Sequence, residues 1–105
     1  MLTVEEIKQK LKPVFEANGV TKAILFGSYA KGCATKDSDV DLVIDTEPHV
    51  RGWDFGGIYM DIVEHLGDIE VDLIPWRSII HEGKTDLEVR ETGLVIYEKE
   101  RQDMS

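Results

Sequence analysis

Cysteine occurs once in this chain, at Cys33, so no internal disulfide can form. With no visible histidine partner, that thiol is not a nucleophile candidate. The three histidines, His49, His65 and His81, are too dispersed to suggest a zinc site. No apolar run approaches the ~18 residues of a spanning helix and no leader pattern precedes the cappable start at Thr3, so a cytoplasmic location is expected. Cations are scarce: 12 Lys plus Arg face 21 Asp plus Glu, a formal net charge of −9. Such an acidic surface repels phosphate backbones, which argues against nucleic acid as a partner and for a basic protein surface. Two familiar phosphate loops are also missing. Gly27 and Gly32 have the glycine spacing of a Walker A loop, but Cys33-Ala34 stands where Lys-Ser/Thr is required, and there is no G-x-G-x-x-G. Repeats, linkers and low-complexity tracts are absent from the 105 residues, so one domain spanning 1–105 is expected, with a polar tail from 99 to 105 that should fray.

What is present is concentrated between residues 27 and 45, GSYAKGCATKDSDVDLVID. In Ser38-Asp39-Val40-Asp41-Leu42-Val43-Ile44 a strand would place Asp39 and Asp41 on one face and turn Val40, Leu42 and Ile44 to the core. Carboxylates on Cβ atoms roughly 6.5 to 7 Å apart can share a hydrated cation, and magnesium prefers such oxygen ligands. Taken alone, an Asp-x-Asp pair is more often the solvated side of a strand. Its neighbours change the reading. Thr21 to Phe26 reads as a short buried strand that stops at Gly27-Ser28, after which Tyr29-Ala30-Lys31 can form one helical turn. Backbone N–H groups at such a start attract phosphate oxygens. Gly27 permits close approach, Ser28 adds a hydroxyl, and Lys31 and Lys36 bring positive charge. The plainer alternative makes Ser28 an ordinary helix cap.

A further carboxylate is expected from a later strand, Ile69-Glu70-Val71-Asp72-Leu73-Ile74. Val71 and Leu73 would pack inward, leaving Glu70, Asp72 and Ile74 on the opposite face. Asp72 is the candidate to join the first pair and to act as general base, although alternation alone does not separate it from Glu70.

Gly27-Ser28-Tyr29-Ala30-Lys31-Gly32, then Ser38-Asp39-Val40-Asp41-Leu42-Val43, then Asp72 on a later strand, resemble the minimal nucleotidyltransferase domains of the DNA polymerase β superfamily. The resemblance runs through nearly the whole chain, to a closing Gly-x-x-x-Tyr-Glu strand from Gly93 to Glu98. It implies an α/β (α+β) fold, with a small mixed sheet and helices packed on one face. It further implies transfer of a nucleoside monophosphate, AMP from ATP, to an acceptor hydroxyl. On this chain Asp39, Asp41 and Asp72 would be the catalytic and metal-binding residues, holding two Mg2+ ions, and Gly27, Ser28, Lys31 and Ser38 would hold the triphosphate. The family usually carries arginine where Lys31 stands, so the charge is kept and the bidentate fork lost. A chain this short is expected to lack an acceptor-gripping domain, and the resemblance points to a protein acceptor, a HEPN-type toxin for which this chain would be the antitoxin. The competing reading is a non-catalytic module that neutralises its partner by covering it.

The remaining segments read as scaffold. Thr3-Val4-Glu5-Glu6 is a capping box opening a helix with Val4, Ile7, Leu11 and Phe15 at helical spacing, which Pro13 should kink or split and Asn18-Gly19 should end. His49 to Gly57 reads as loop, Ile58 to Leu66 as a second helix, Arg77 to Glu91 as one or two short helices, and Leu94 to Glu98 as a strand. Trp53, Phe55, Tyr59 and Trp76 are each expected to pack at the sheet edge, with a ligand or partner surface as the alternative.

Overall fold

The computed structural model describes residues 2–35, 37–67, 69–79 and 83–99. Lys36, His81 and the end of the expected frayed tail lie outside the described residues. Helix α1, Val4–Ala17, opens with the expected capping box: Thr3 Oγ1 accepts from Glu6 N–H at 3.1 Å, and Glu6 Oε1 accepts from Thr3 N–H at 3.1 Å. The helix is not split at Pro13. The bond lost by Pro13 is to the carbonyl of Gln9, and both residues are exposed, so water can satisfy that carbonyl while Ile7, Leu11, Val14 and Phe15 stay packed.

Strand β1, Val20–Phe26, leads into a single turn, α2, Ser28–Lys31, and then strand β2, Val40–Thr46. Helix α3, Asp54–Leu66, carries the chain across to strand β3, Val71–Pro75. A 3-10 turn at Trp76–Ser78, helix α4, Lys84–Thr92, and strand β4, Leu94–Glu98, complete the described elements. The sheet order is β3-β2-β1-β4, with β1 antiparallel to β2 and β4 and β2 parallel to β3. A parallel pair needs a crossover, and α3 supplies it. Helix α3 starts at Asp54, so Asp54 to Gly57 are not loop as expected. Asp54 Oδ2 accepts from Arg51 N–H at 2.8 Å, and successive turns from Arg51 to Gly56 wind the chain into the helix despite Gly56 and Gly57.

Strand alternation divides the apolar residues into two clusters. The main core joins Ile7, Leu11 and Phe15 of α1 and Ile58 and Ile62 of α3 to Leu25, Leu42, Ile44 and Ile96 on one side of the sheet. Ile24, Phe26 and Val43 face the other side and are covered by Val89 of α4. The mixed sheet is as expected, but the expectation of helices on one face holds only for α1 and α3. Helix α4 lies on the opposite face because Ile24, Phe26 and Val43 also need burial. The aromatic expectations divide: Phe55 packs against the main core, whereas Trp53 is 80 % exposed and Tyr59 and Trp76 are also exposed. No helix among the described residues is long and apolar enough to cross a membrane.

Phe15 is fully buried, with its ring 5.3 Å from that of Tyr97. Phe15→Ala should therefore destabilise the domain by about 3–5 kcal/mol, read from urea unfolding. A loss below about 1 kcal/mol would contradict the packing described.

Candidate active site

The strands meet at one end of the sheet in a way that sequence alternation cannot specify. Phe26, the last residue of β1, is the partner of Asp41, and Asp41 is in turn the partner of Asp72 across the parallel pair. Thus the turn after β1, the start of β2 and the start of β3 are brought to one edge. Register separates Asp72 from Glu70: Asp72 lies opposite Asp41, while the Glu70 carbonyl accepts from Val40 N–H at 2.8 Å just ahead of β3. Asp39 stands exposed immediately before β2, and Asp72 is exposed as well.

Gly27 completes this edge. Its φ is +76°, a region that side chains rarely adopt, and a Cβ placed there would overlap Oδ2 of Asp41. Only glycine lets the turn lie directly against that carboxylate. Gly27, not Ser28, is the N-cap of α2, so the helix-cap reading of Ser28 does not hold. The first intrahelical bond runs from Lys31 N–H to the Gly27 carbonyl, 3.1 Å, and the amides of Ser28, Tyr29 and Ala30 precede it without intrahelical acceptors. Tyr29 is buried in the main core and anchors the turn. Lys31 is exposed beside it. Ser38 Oγ accepts from Thr35 N–H at 2.8 Å and lies 3.4 Å from Thr35 Oγ1, so this hydroxyl fastens the loop between α2 and β2.

The electrostatics follow from this crowding. Asp41 has its carboxyl pushed up to about 6, first by burial and then by the negative charges of Asp72, Asp39 and Glu88. Glu88, on α4, was not legible in the sequence as part of the site. Its only sequence signal is its place next to Val89, and nothing in the pattern shows which face of the sheet Val89 covers.

Hard oxygen donors that repel one another when ionised fit a divalent cation of the magnesium type. Among the described residues no three acidic, histidine or cysteine side chains are gathered closely enough to form a complete metal nest. The arrangement therefore suits a cation whose shell is completed by phosphate and water. A surface pocket of about 360 Å³, lined by residues including Asn18, His49, Trp53 and Gly57, lies at the other end of the sheet and contains none of these groups.

Comparison with known proteins bears on the family and the fold. The model of the nucleotidyltransferase domain family matches residues 4–102. The chain is 32% identical over 78 residues to a candidate protein adenylyltransferase of Methanocaldococcus jannaschii, covering 74% of this chain and 83% of that protein. Its fold is similar to that of a chain in a crystal structure of a toxin-antitoxin with AMP-PNP, with a TM-score of 0.69, 23% identity, and coverage of 89% of this chain and 74% of that one. A second likeness is to a structure of tri-AMPylated Shewanella oneidensis HEPN toxin in complex with MNT antitoxin, with a TM-score of 0.64, 20% identity, and coverage of 92% and 74%.

Because the folded carboxyl of Asp41 holds its proton to about pH 6 and the unfolded one only to its ordinary value of 3.8, the unfolded state binds fewer protons between these values. In metal-free protein this contribution makes stability fall as pH rises from about 4 to 6. Asp41→Asn should remove that slope, leaving the variant with a higher Tm than wild type at pH 7.5 and a similar Tm at pH 4. A lower Tm at pH 7.5 would contradict the like-charge crowding.

Proposed function

Because this chain belongs to the nucleotidyltransferase domain family, we propose that it transfers AMP from ATP to a hydroxyl group on a partner protein, and that the partner is a HEPN-type toxin silenced by the modification. The observation that carries this reading is the alignment of Asp41 with Asp72 in front of the Gly27 turn. The relatives support the choice of acceptor and partner: one is named for protein adenylylation, and another is an antitoxin in complex with an AMPylated HEPN toxin.

The residues divide the work as follows. The free amides of the Gly27-Ser28 turn, the Ser28 hydroxyl and Lys31 would receive the triphosphate, with Ser38 holding the following loop in place. Asp39, Asp41 and Asp72 would hold magnesium, which neutralises phosphate charge and orients the reacting phosphate. Asp72 sits at the exposed end of the row, where an acceptor can approach. It would take the proton from the acceptor hydroxyl as the acceptor oxygen bonds to the α-phosphorus. The bond from that phosphorus to the bridging oxygen breaks, and pyrophosphate leaves. Phosphoryl-type transfer asks mainly for positioning and charge neutralisation, and this edge of the sheet is organised for both.

Incubation of the chain with ATP, magnesium and the HEPN-type partner should add one or more adenylyl groups to the partner, read by intact mass. Asp39→Asn with Asp41→Asn should abolish the addition while the two proteins still associate. An unmodified partner that is nonetheless neutralised, equally by wild type and by this variant, would favour neutralisation by covering.

A further inference from the structure

Glu88 is an acidic group whose charge reaches Asp41 and that the proposed chemistry does not use. Its position is fixed by the backbone around it. Gly93, which joins α4 to β4, sits so close to the Val89 carbonyl and Ile24 Cγ2 that a Cβ there would overlap both. This clamps the end of α4 onto β1, with Val89 against Ile24, Phe26 and Val43. Those residues share the sheet face of Asp41, since Phe26 and Asp41 are register partners and Val43 follows Asp41 by two positions. Leu94 pairs with Leu25, so α4 ends at the same end of the sheet as the Gly27 turn. Glu88, one residue before Val89, is half-buried on the flank of the helix, and its charge is felt at Asp41.

The Glu88 carboxylate makes no hydrogen bond or ion pair among the described residues, and the Thr92 hydroxyl donates to the Glu88 backbone carbonyl at 2.8 Å. The arginine of the same helix, Arg90, is engaged with Asp86 at 3.2 Å. The Glu88 charge adds to those already gathered around Asp41, and a nucleoside triphosphate brings more of the same sign. Magnesium ATP carries net negative charge, so Glu88 repels it. A cationic group on the second substrate would meet that charge from the α4 side.

Resting on the reading that the acceptor is a hydroxyl on a protein, we infer that Glu88 is a specificity residue that selects acceptors carrying an arginine or lysine beside the hydroxyl to be modified. It does not touch the reacting atoms. It favours approach of a cationic segment from the α4 side and disfavours an acidic one, the expected behaviour of a charge at the rim of a binding site.

The test measures binding, so that it does not depend on transfer. Two dye-labelled peptides with a central tyrosine, one flanked by arginines and the other by glutamates, are titrated against the full chain loaded with magnesium and AMP-PNP. Wild type should prefer the arginine peptide, and Glu88→Gln should reduce the ratio of affinities by about fivefold, the upper range for a partly exposed ion pair. Glu88→Lys should reduce it further. Glu64→Gln, the same charge change on the exposed side of α3, should leave the ratio as in wild type and so separate a local effect from the net charge of −9. A ratio unchanged by Glu88→Gln, an equal fall in Glu64→Gln, absence of binding by either peptide, or a loss of magnesium affinity with the peptide ratio intact would each overturn the assignment. Failure of AMP transfer in a parallel reaction would count against the hydroxyl-acceptor reading and leave this ratio as an independent result.

Discussion

Asp41 is held where an ionised carboxylate is least comfortable, and most of what distinguishes this domain follows from that. Strand β2 pairs it with Phe26 on one side and Asp72 on the other, while the Gly27 turn closes against its oxygen. The crowding is imposed by backbone register, so side-chain motion cannot fully relieve it. A positive charge can. The free amides of the adjoining turn bring partial positive charge from one side, and a cation with its phosphate ligands would bring the rest.

The two-sided sheet is what allows such an arrangement to persist. The main core, on the side of α1 and α3, contains the largest fully buried side chains and fixes the strands. The smaller cluster under Val89 anchors α4 near the site without covering the exposed Asp72. One face therefore supplies the packing, and the other leaves room for chemistry at its end. The exposed aromatic residues Trp53 and Tyr59 lie on the α3 side, away from the carboxylates, so they belong to neither task.

Much of this was legible in the sequence because its signals are local. A capping box, a strand ending at Gly-Ser and an Asp-x-Asp alternation each state their geometry within a few residues, and Thr3, Gly27 and Asp41 lie where those patterns place them, whereas Asp39 falls just ahead of the strand that was expected to carry it. Asp72 needed more. Alternation leaves it equivalent to Glu70, and only the parallel register of β2 and β3 sets it beside Asp41. Glu88 was hidden for a related reason: α4 buries Val89 and Asp86 but exposes Leu87, so its sequence does not announce which side of the sheet it covers. The helical start at Asp54 was obscured by Gly56-Gly57, whose unfavourable propensity of about 1 kcal/mol per glycine is overcome by the turn at Arg51 and the anchoring of Phe55 and Ile58.

The enforced proximity of Asp41 and Asp72 is measured most directly by carboxyl-carbon NMR titration of Asp41. In metal-free protein the apparent value should be about 6, should fall when Asp72 is changed to Asn, and should fall again when magnesium and AMP-PNP compete with the proton. An Asp41 that titrates near the ordinary aspartate value of about 3.9, indifferent to residue 72 and to the nucleotide, would contradict the account at its root.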